Sequence, residues 1–151
     1  MAAGEFTLTN AGQLNWAKGD IDLDSNTITA VLVLETHTPN IATDATYNDI
    51  ITNECADGDY AAVDLTGKTL AEASAGVVEF DAAQVDFGNP VSITAKYIYL
   101  VQKAGASLVA GDLIFGFMDL NTAGGSVGSV NSDFKVNWNA VNGILRLTKL
   151  P

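Results

Sequence analysis

The feature that most constrains this chain is a hydrophobic periodicity with a step of two, the step of extended strands. Thr27 to Glu35 (TITAVLVLE) is rich in β-branched residues and apolar on both faces at its centre, so it reads as a strand covered on both sides. Val91 to Gln102 (VSITAKYIYLVQ) reads as one long strand. Val91, Ile93, Ala95, Tyr97, Tyr99 and Val101 share a face, and Ser92, Thr94 and Lys96 open the other. Asp112 to Leu120 is a further strand, in which Gly116 admits a close neighbour or marks a bulge. Asp133 to Asn137 and Ile144 to Lys149 both alternate, and Asn142-Gly143 between them predicts a hairpin turn. Weaker strands are expected at Tyr60 to Leu70, Val77 to Asp81 and Gln84 to Phe87. Thr122 to Ser132 (TAGGSVGSVNS) reads as a mobile loop.

Helical signals are short. Asn10 to Lys18 predicts one helix, with Asn10 as N-cap and Gly19 as terminator, and Tyr47 to Cys55 predicts another. The expected fold class is therefore all-β, a β-sandwich or jelly-roll-like domain with about eight strands and one or two short helices. It spans residues 1–151 as a single domain, with residues 1–10 as an extended N-terminal arm.

Charge narrows the function classes. There are 18 Asp and Glu against 7 Lys and Arg, a net charge of −11. The basic residues are scattered from Lys18 to Lys149 and form no patch, which argues against a nucleic-acid partner. Mean hydropathy is nevertheless positive, at +0.20, and 48% of residues are hydrophobic, which argues against disorder. The longest apolar run, Ala30 to Leu34, is strand length, far below the ~20 residues of a membrane-spanning helix. Met1 to Glu5 has neither the basic region nor the apolar stretch of a signal peptide, so synthesis in the cytoplasm is expected. No membrane partner is expected.

The candidate chemical sites are weak. Asp20, Asp22 and Asp24 resemble the start of a calcium loop, but Ser25 and Val31 stand where that loop needs its glycine and its glutamate. The alternation with Ile21 and Leu23 instead suggests an extended segment with a wet acidic face. Asp57-Gly58-Asp59 is first a turn. His37, the only histidine, lies in a loop after a strand and reads as a surface residue. Acidic neighbours should raise the Cys55 thiol pKa and leave it inert. Gly124-Gly125-Ser126-Val127-Gly128 lacks the Lys-Ser/Thr ending of a phosphate loop. Trp138 alternates in phase with Phe134 and Val136 and is expected in the core. No catalytic residues, cofactor or metal are expected, and the chain reads as a non-enzyme.

A longer pattern runs through these pieces. Ala17-Lys18-Gly19-Asp20-Ile21-Asp22-Leu23-Asp24-Ser25-Asn26-Thr27-Ile28 resembles the opening of a group of small virion proteins of tailed bacteriophages. Tyr47-Asn48-Asp49 to Asn53-Glu54, Leu65-Thr66-Gly67-Lys68-Thr69 and Phe80-Asp81-Ala82 with Val85 resemble later segments of that family, in the same order. Trp138-Asn139-Ala140 to Gly143-Ile144-Leu145 resembles its closing block. The chain departs from the pattern at Asn26, at Tyr60-Ala61-Ala62 and at the inserted Val141-Asn142, all turn positions.

The resemblance implies a capsid decoration, or cement, protein, a homotrimer bound to the major capsid protein on the outside of the virion. The alternative it leaves open is a tail, baseplate or head-fibre component that binds a host surface. Acidity suits a location away from packaged DNA. The expected contact regions are the apolar arm with Phe6, Leu8 and Leu14, the loop carrying His37, Pro39, Ile41 and Tyr47, and the loop carrying Val127 and Val130.

Overall fold

A computed structural model describes residues 3–149. Twelve strands, one α-helix and two 3-10 turns follow one another, and every strand pairing is antiparallel. Four strands have only two residues, β1 (Thr7–Leu8), β3 (Val63–Asp64), β6 (Val85–Asp86) and β11 (Lys135–Val136). The other eight are β2 (Thr27–Val33), β4 (Thr69–Ser74), β5 (Val77–Asp81), β7 (Val91–Ala95), β8 (Tyr97–Lys103), β9 (Leu113–Asp119), β10 (Val127–Ser132) and β12 (Leu145–Thr148). The fold is all-β and sandwich-like, as the periodicity predicts. One wall is a five-stranded sheet in the order β1-β9-β8-β2-β3. Facing it are a three-stranded sheet, β12-β5-β4, and two ribbons, β10-β7 and β11-β6.

The central sheet is buried on both faces, which explains why Ala30 to Val33 alternates nothing. Ile28, Ala30, Leu32, Ile98, Leu100 and Phe115 pack into the main core with Phe80, Val85 and Ile93 of the smaller sheets and with Phe134 and Ile144, which flank β11 and β12. The opposite face, Val31, Val33, Tyr99, Val101 and Ile114, is covered by Tyr47 and Ile50. Those two residues come from the segment expected as a helix, which forms two 3-10 turns instead, Tyr47–Asp49 and Ile51–Asn53. Asp49 turns back to accept hydrogen bonds from the Thr46 and Ala45 N–H groups (2.8 and 3.0 Å), which closes the first turn tightly.

The helix α1 (Asn10–Lys18) has the expected length, but Thr9 is its N-cap, its hydroxyl accepting from the Gly12 N–H at 2.9 Å. Two glycines make the contact between the N-terminal elements and β9 possible. A Cβ on Gly12 would lie 2.0 Å from the Phe115 carbonyl oxygen, and one on Gly116 would lie 2.4 Å from that of Thr7. Gly116 therefore serves both expected purposes: β1 approaches it, and the β8–β9 register slips beside it, between Leu100 and Val101.

Three further expectations need correction. The strand expected over Val91 to Gln102 breaks at Lys96, which is buried and turns the chain from the β7–β10 ribbon into the central sheet. The Lys96 ammonium donates to both Asp119 oxygens (2.8 and 3.0 Å) and to the Asn121 carbonyl, so its charge is satisfied inside the corner. The Asn142-Gly143 turn does not join a hairpin: β11 pairs with β6, and β12 pairs with β5. Asn139 organises that turn, its side-chain oxygen accepting from the N–H groups of Val141 and Asn142. Half of the expected Thr122 to Ser132 loop is β10, whose partner β7 the sequence could not specify. Residues 3–9 run along the body: Gly4 donates to the Asp119 carbonyl, β1 pairs with β9, and the helix begins at Asn10. Met1 and Ala2 lie outside the described residues.

Candidate interaction surface

Many of the acidic residues accept hydrogen bonds from the chain's own backbone. Asp22 accepts from the N–H groups of Asp24 and Ser25 (3.0 and 2.9 Å), and the Ser25 bond leads the causes that hold its carboxyl below the usual range. Ile21 and Leu23 are buried as the alternation requires. The carbonyls of Leu23, Asp24 and Asn26 converge on one cation, the Lys68 ammonium, which donates to the first two at 3.1 and 3.2 Å. The segment expected to be extended thus forms a turn over residues 23–25, organised around a lysine. Among the described residues, no three His, Cys, Asp or Glu side chains converge as a metal-ligand set.

Asp57 and Asp59 act on a sheet edge. β7 pairs with β10 on one side only. On the other, Asp59 accepts from the Ser92 N–H (2.9 Å) and Asp57 from the Thr94 N–H (2.7 Å). Two carboxylates therefore cap the donors that another strand would use. Asp57 also accepts from the Cys55 thiol at 3.4 Å. Burial first, and Asp57 beside it, push that thiol pKa up, in the direction the sequence implies.

His37 is not the surface residue expected. Its side chain is only 11% exposed, and its Nε2 lies 3.0 Å from Asp44 Oδ2 and 3.1 Å from the Tyr99 hydroxyl. Tyr99 donates to the same Asp44 oxygen at 2.7 Å, and the Asn40 N–H donates to it at 3.1 Å. Asp44 and Tyr99 are buried. Burial, then the Asp44 hydrogen bond, pushes the Tyr99 pKa upward, so the phenol stays protonated and donates. This network fastens the loop after β2 to the central sheet. The sequence shows the histidine but not its partners, which lie 7 and 62 residues away along the chain.

The expected contact residues divide into two groups. Tyr47 is buried, donating its hydroxyl to Glu54, which also accepts from Tyr60 at 2.7 Å. Phe6 stacks on Phe115 at 5.5 Å, and Leu8 and Val127 pack against the main core. His37 is held by the network, and Pro39 is half-buried. Three residues do face solvent, Leu14 at 53% exposure, Ile41 at 48% and Val130 at 86%. Leu14 and Ile41 belong to one region, because the Asn10 N–H at the start of α1 donates to the Ile41 carbonyl at 2.8 Å. Val130 lies on β10, whose leading end is tied to the loop after β2 by a 2.9 Å hydrogen bond from Ser126 to Glu35. Sequence reading missed further exposed apolar residues, Ile51, Val78, Val109, Val141 and Leu147. Val78 and Leu147 are cross-strand partners in the three-stranded sheet, a relation no local signal carries.

Fold and surface together define an acidic, all-β protein that offers apolar side chains on braced supports. Comparison with family models, curated proteins and solved structures gives no match to the chain. Among the described residues, no helix is long and apolar enough to cross a membrane.

Proposed function

We propose that the protein is a decoration, or cement, protein of a tailed-bacteriophage capsid, which binds the outer surface of the shell and stabilises it. One observation carries this reading: Leu14 and Ile41 are exposed on neighbouring elements whose backbones are already fixed, on a body of net charge −11. An adhesive surface that needs no ordering on contact loses less entropy when it binds. The virion setting comes from the sequence resemblance. The acidity supports an outer location, because packaged DNA would repel this body. A homotrimer holding several shell subunits would gain from effective concentration even where each contact is weak.

The test uses virions that carry this protein. Stripping the protein should lower the temperature at which particles release their genome, and adding it back should restore it. Unchanged release after stripping would overturn the reading. Copies found only at the tail or on sparse fibres would favour a receptor-binding component instead. Light scattering on the free protein should give three times the chain mass of 15.7 kDa.

A further inference from the structure

Two sheets end beside one another, and no further strand among the described residues extends either. β12 is the outermost strand of the three-stranded sheet, and β1 is the outermost strand of the five-stranded sheet. The segment before β1 continues that row, since the Gly4 N–H donates to the Asp119 carbonyl at 2.7 Å. Both rows border a single cleft of about 460 Å³, lined by residues 3–6 on the one row and by Leu145, Arg146 and Thr148 on the other. Phe6, Met118, Trp138 and Ile144 give it an apolar lining.

Other edges are short or distorted. Carboxylates cap β7, β10 is bulged between Ser129 and Ser132, β4 is bulged between Glu72 and Ser74, and β3 is two residues long. The edge of β12 has four residues, and along this cleft no strand among the described residues covers it. Glu5 and Arg146 are the charged residues of the lining among the described residues, and Glu79 stands behind it 3.8 Å from Arg146, so two carboxylates meet one cation there. Asp81 packs behind Gly143, and its Oδ1 is buried with no hydrogen-bond partner among the described residues.

We propose that this cleft receives an extended segment of the shell subunit as an added strand, one that alternates apolar with basic residues. Its backbone pairs with the open rows, its apolar side chains enter among Phe6, Trp138 and Ile144, and its basic side chains meet Glu5 and Glu79. The four residues of β12 set the paired length at about 13 Å. The identity of the partner rests on the decoration reading; the cleft and the chemistry of its occupant do not.

The probe is acetyl-Lys-Val-Lys-Val-Lys-Val-amide, titrated against the full chain while tryptophan fluorescence is followed, since Trp138 lines the cleft. Saturable binding is expected, with no binding of the Glu-Val counterpart. Methylating the peptide's amide nitrogens, at the lysines in one analogue and at the valines in another, should weaken binding about ten-fold in at least one. Glu5→Lys and Asn137→Trp, both at exposed positions, should weaken it to a similar degree with unchanged thermal unfolding. No binding of the parent peptide, or binding of both methylated analogues as tightly as the parent peptide, overturns the proposal. The two variants also separate the two readings on particles. If they coat stripped virions as the parent protein does, the cleft is not the docking site and the decoration role stands. If the parent binds the peptide but restores no particle, the decoration role fails and the cleft stands.

Discussion

At the scale of single residues, the fold depends on polar side chains placed where apolar ones would be expected. Lys96 is the clearest, because it sits at the point where the chain changes sheets and its charge is met by Asp119 within the corner. Lys96→Met should cost about 3 kcal/mol in chemical unfolding, since it leaves the Asp119 carboxylate without its cation. Adding Asp119→Leu to it should recover much of that loss, and a non-additive double-mutant cycle is the measurement that checks the coupling. From the sequence, Lys96 looks like one more polar position in an alternating strand. Its face is decided by a carboxylate 23 residues away, which local periodicity does not encode. His37 is a similar case: it is visible as a loop residue, but its anchoring role depends on Tyr99 and Asp44.

At the scale of elements, the strands with strong two-residue alternation or dense β-branching are the legible ones. β2 and β5 lie where the pattern puts them, because each is fixed by its own apolar residues. Pairing is less legible. The Asn142-Gly143 signal is local, yet β11 and β12 answer to β6 and β5, whose apolar faces they complete. β10 hides in a glycine- and serine-rich stretch because its stability comes from β7 rather than from its own composition. The edge caps belong to this scale too. The double variant Asp57→Ala/Asp59→Ala should fold but self-associate more, because the Ser92 and Thr94 N–H groups become free to pair with another chain. Light scattering during incubation near the unfolding midpoint is the check, with Asp133→Ala, an exposed aspartate elsewhere, as the reference.

At the scale of the whole molecule, net charge and internal hydrogen bonding act in opposite directions with pH. Asp22 and Asp49 have lowered pKa values, led in each case by backbone N–H donors that stabilise the ionised form. Their contribution is present above the ordinary carboxylate range and is lost as pH falls through their depressed folded values. Thermal stability should therefore drop as pH falls below about 4, even though the net negative charge is being neutralised. A melting temperature that rose steadily down to pH 2 would show that relief of repulsion dominates. The acidic excess looks at first like a simple surface property. In the fold, many of these carboxylates act as turn and edge fittings, so the excess reflects how the chain closes its loops.

The lysine clasped by Leu23, Asp24 and Asn26 has a consequence in dilute or chelating media. Loops stabilised by a free divalent ion loosen when the medium is dilute or chelating. Here the positive charge is tethered covalently, so neither rainwater nor a chelator can remove it from the loop. Extended dialysis against EDTA should leave the unfolding temperature of the parent protein unchanged. Lys68→Ala should lower it, and added calcium should return part of the loss by entering the vacated carbonyl ring. A protein built this way carries the counter-charge of this loop within its own chain.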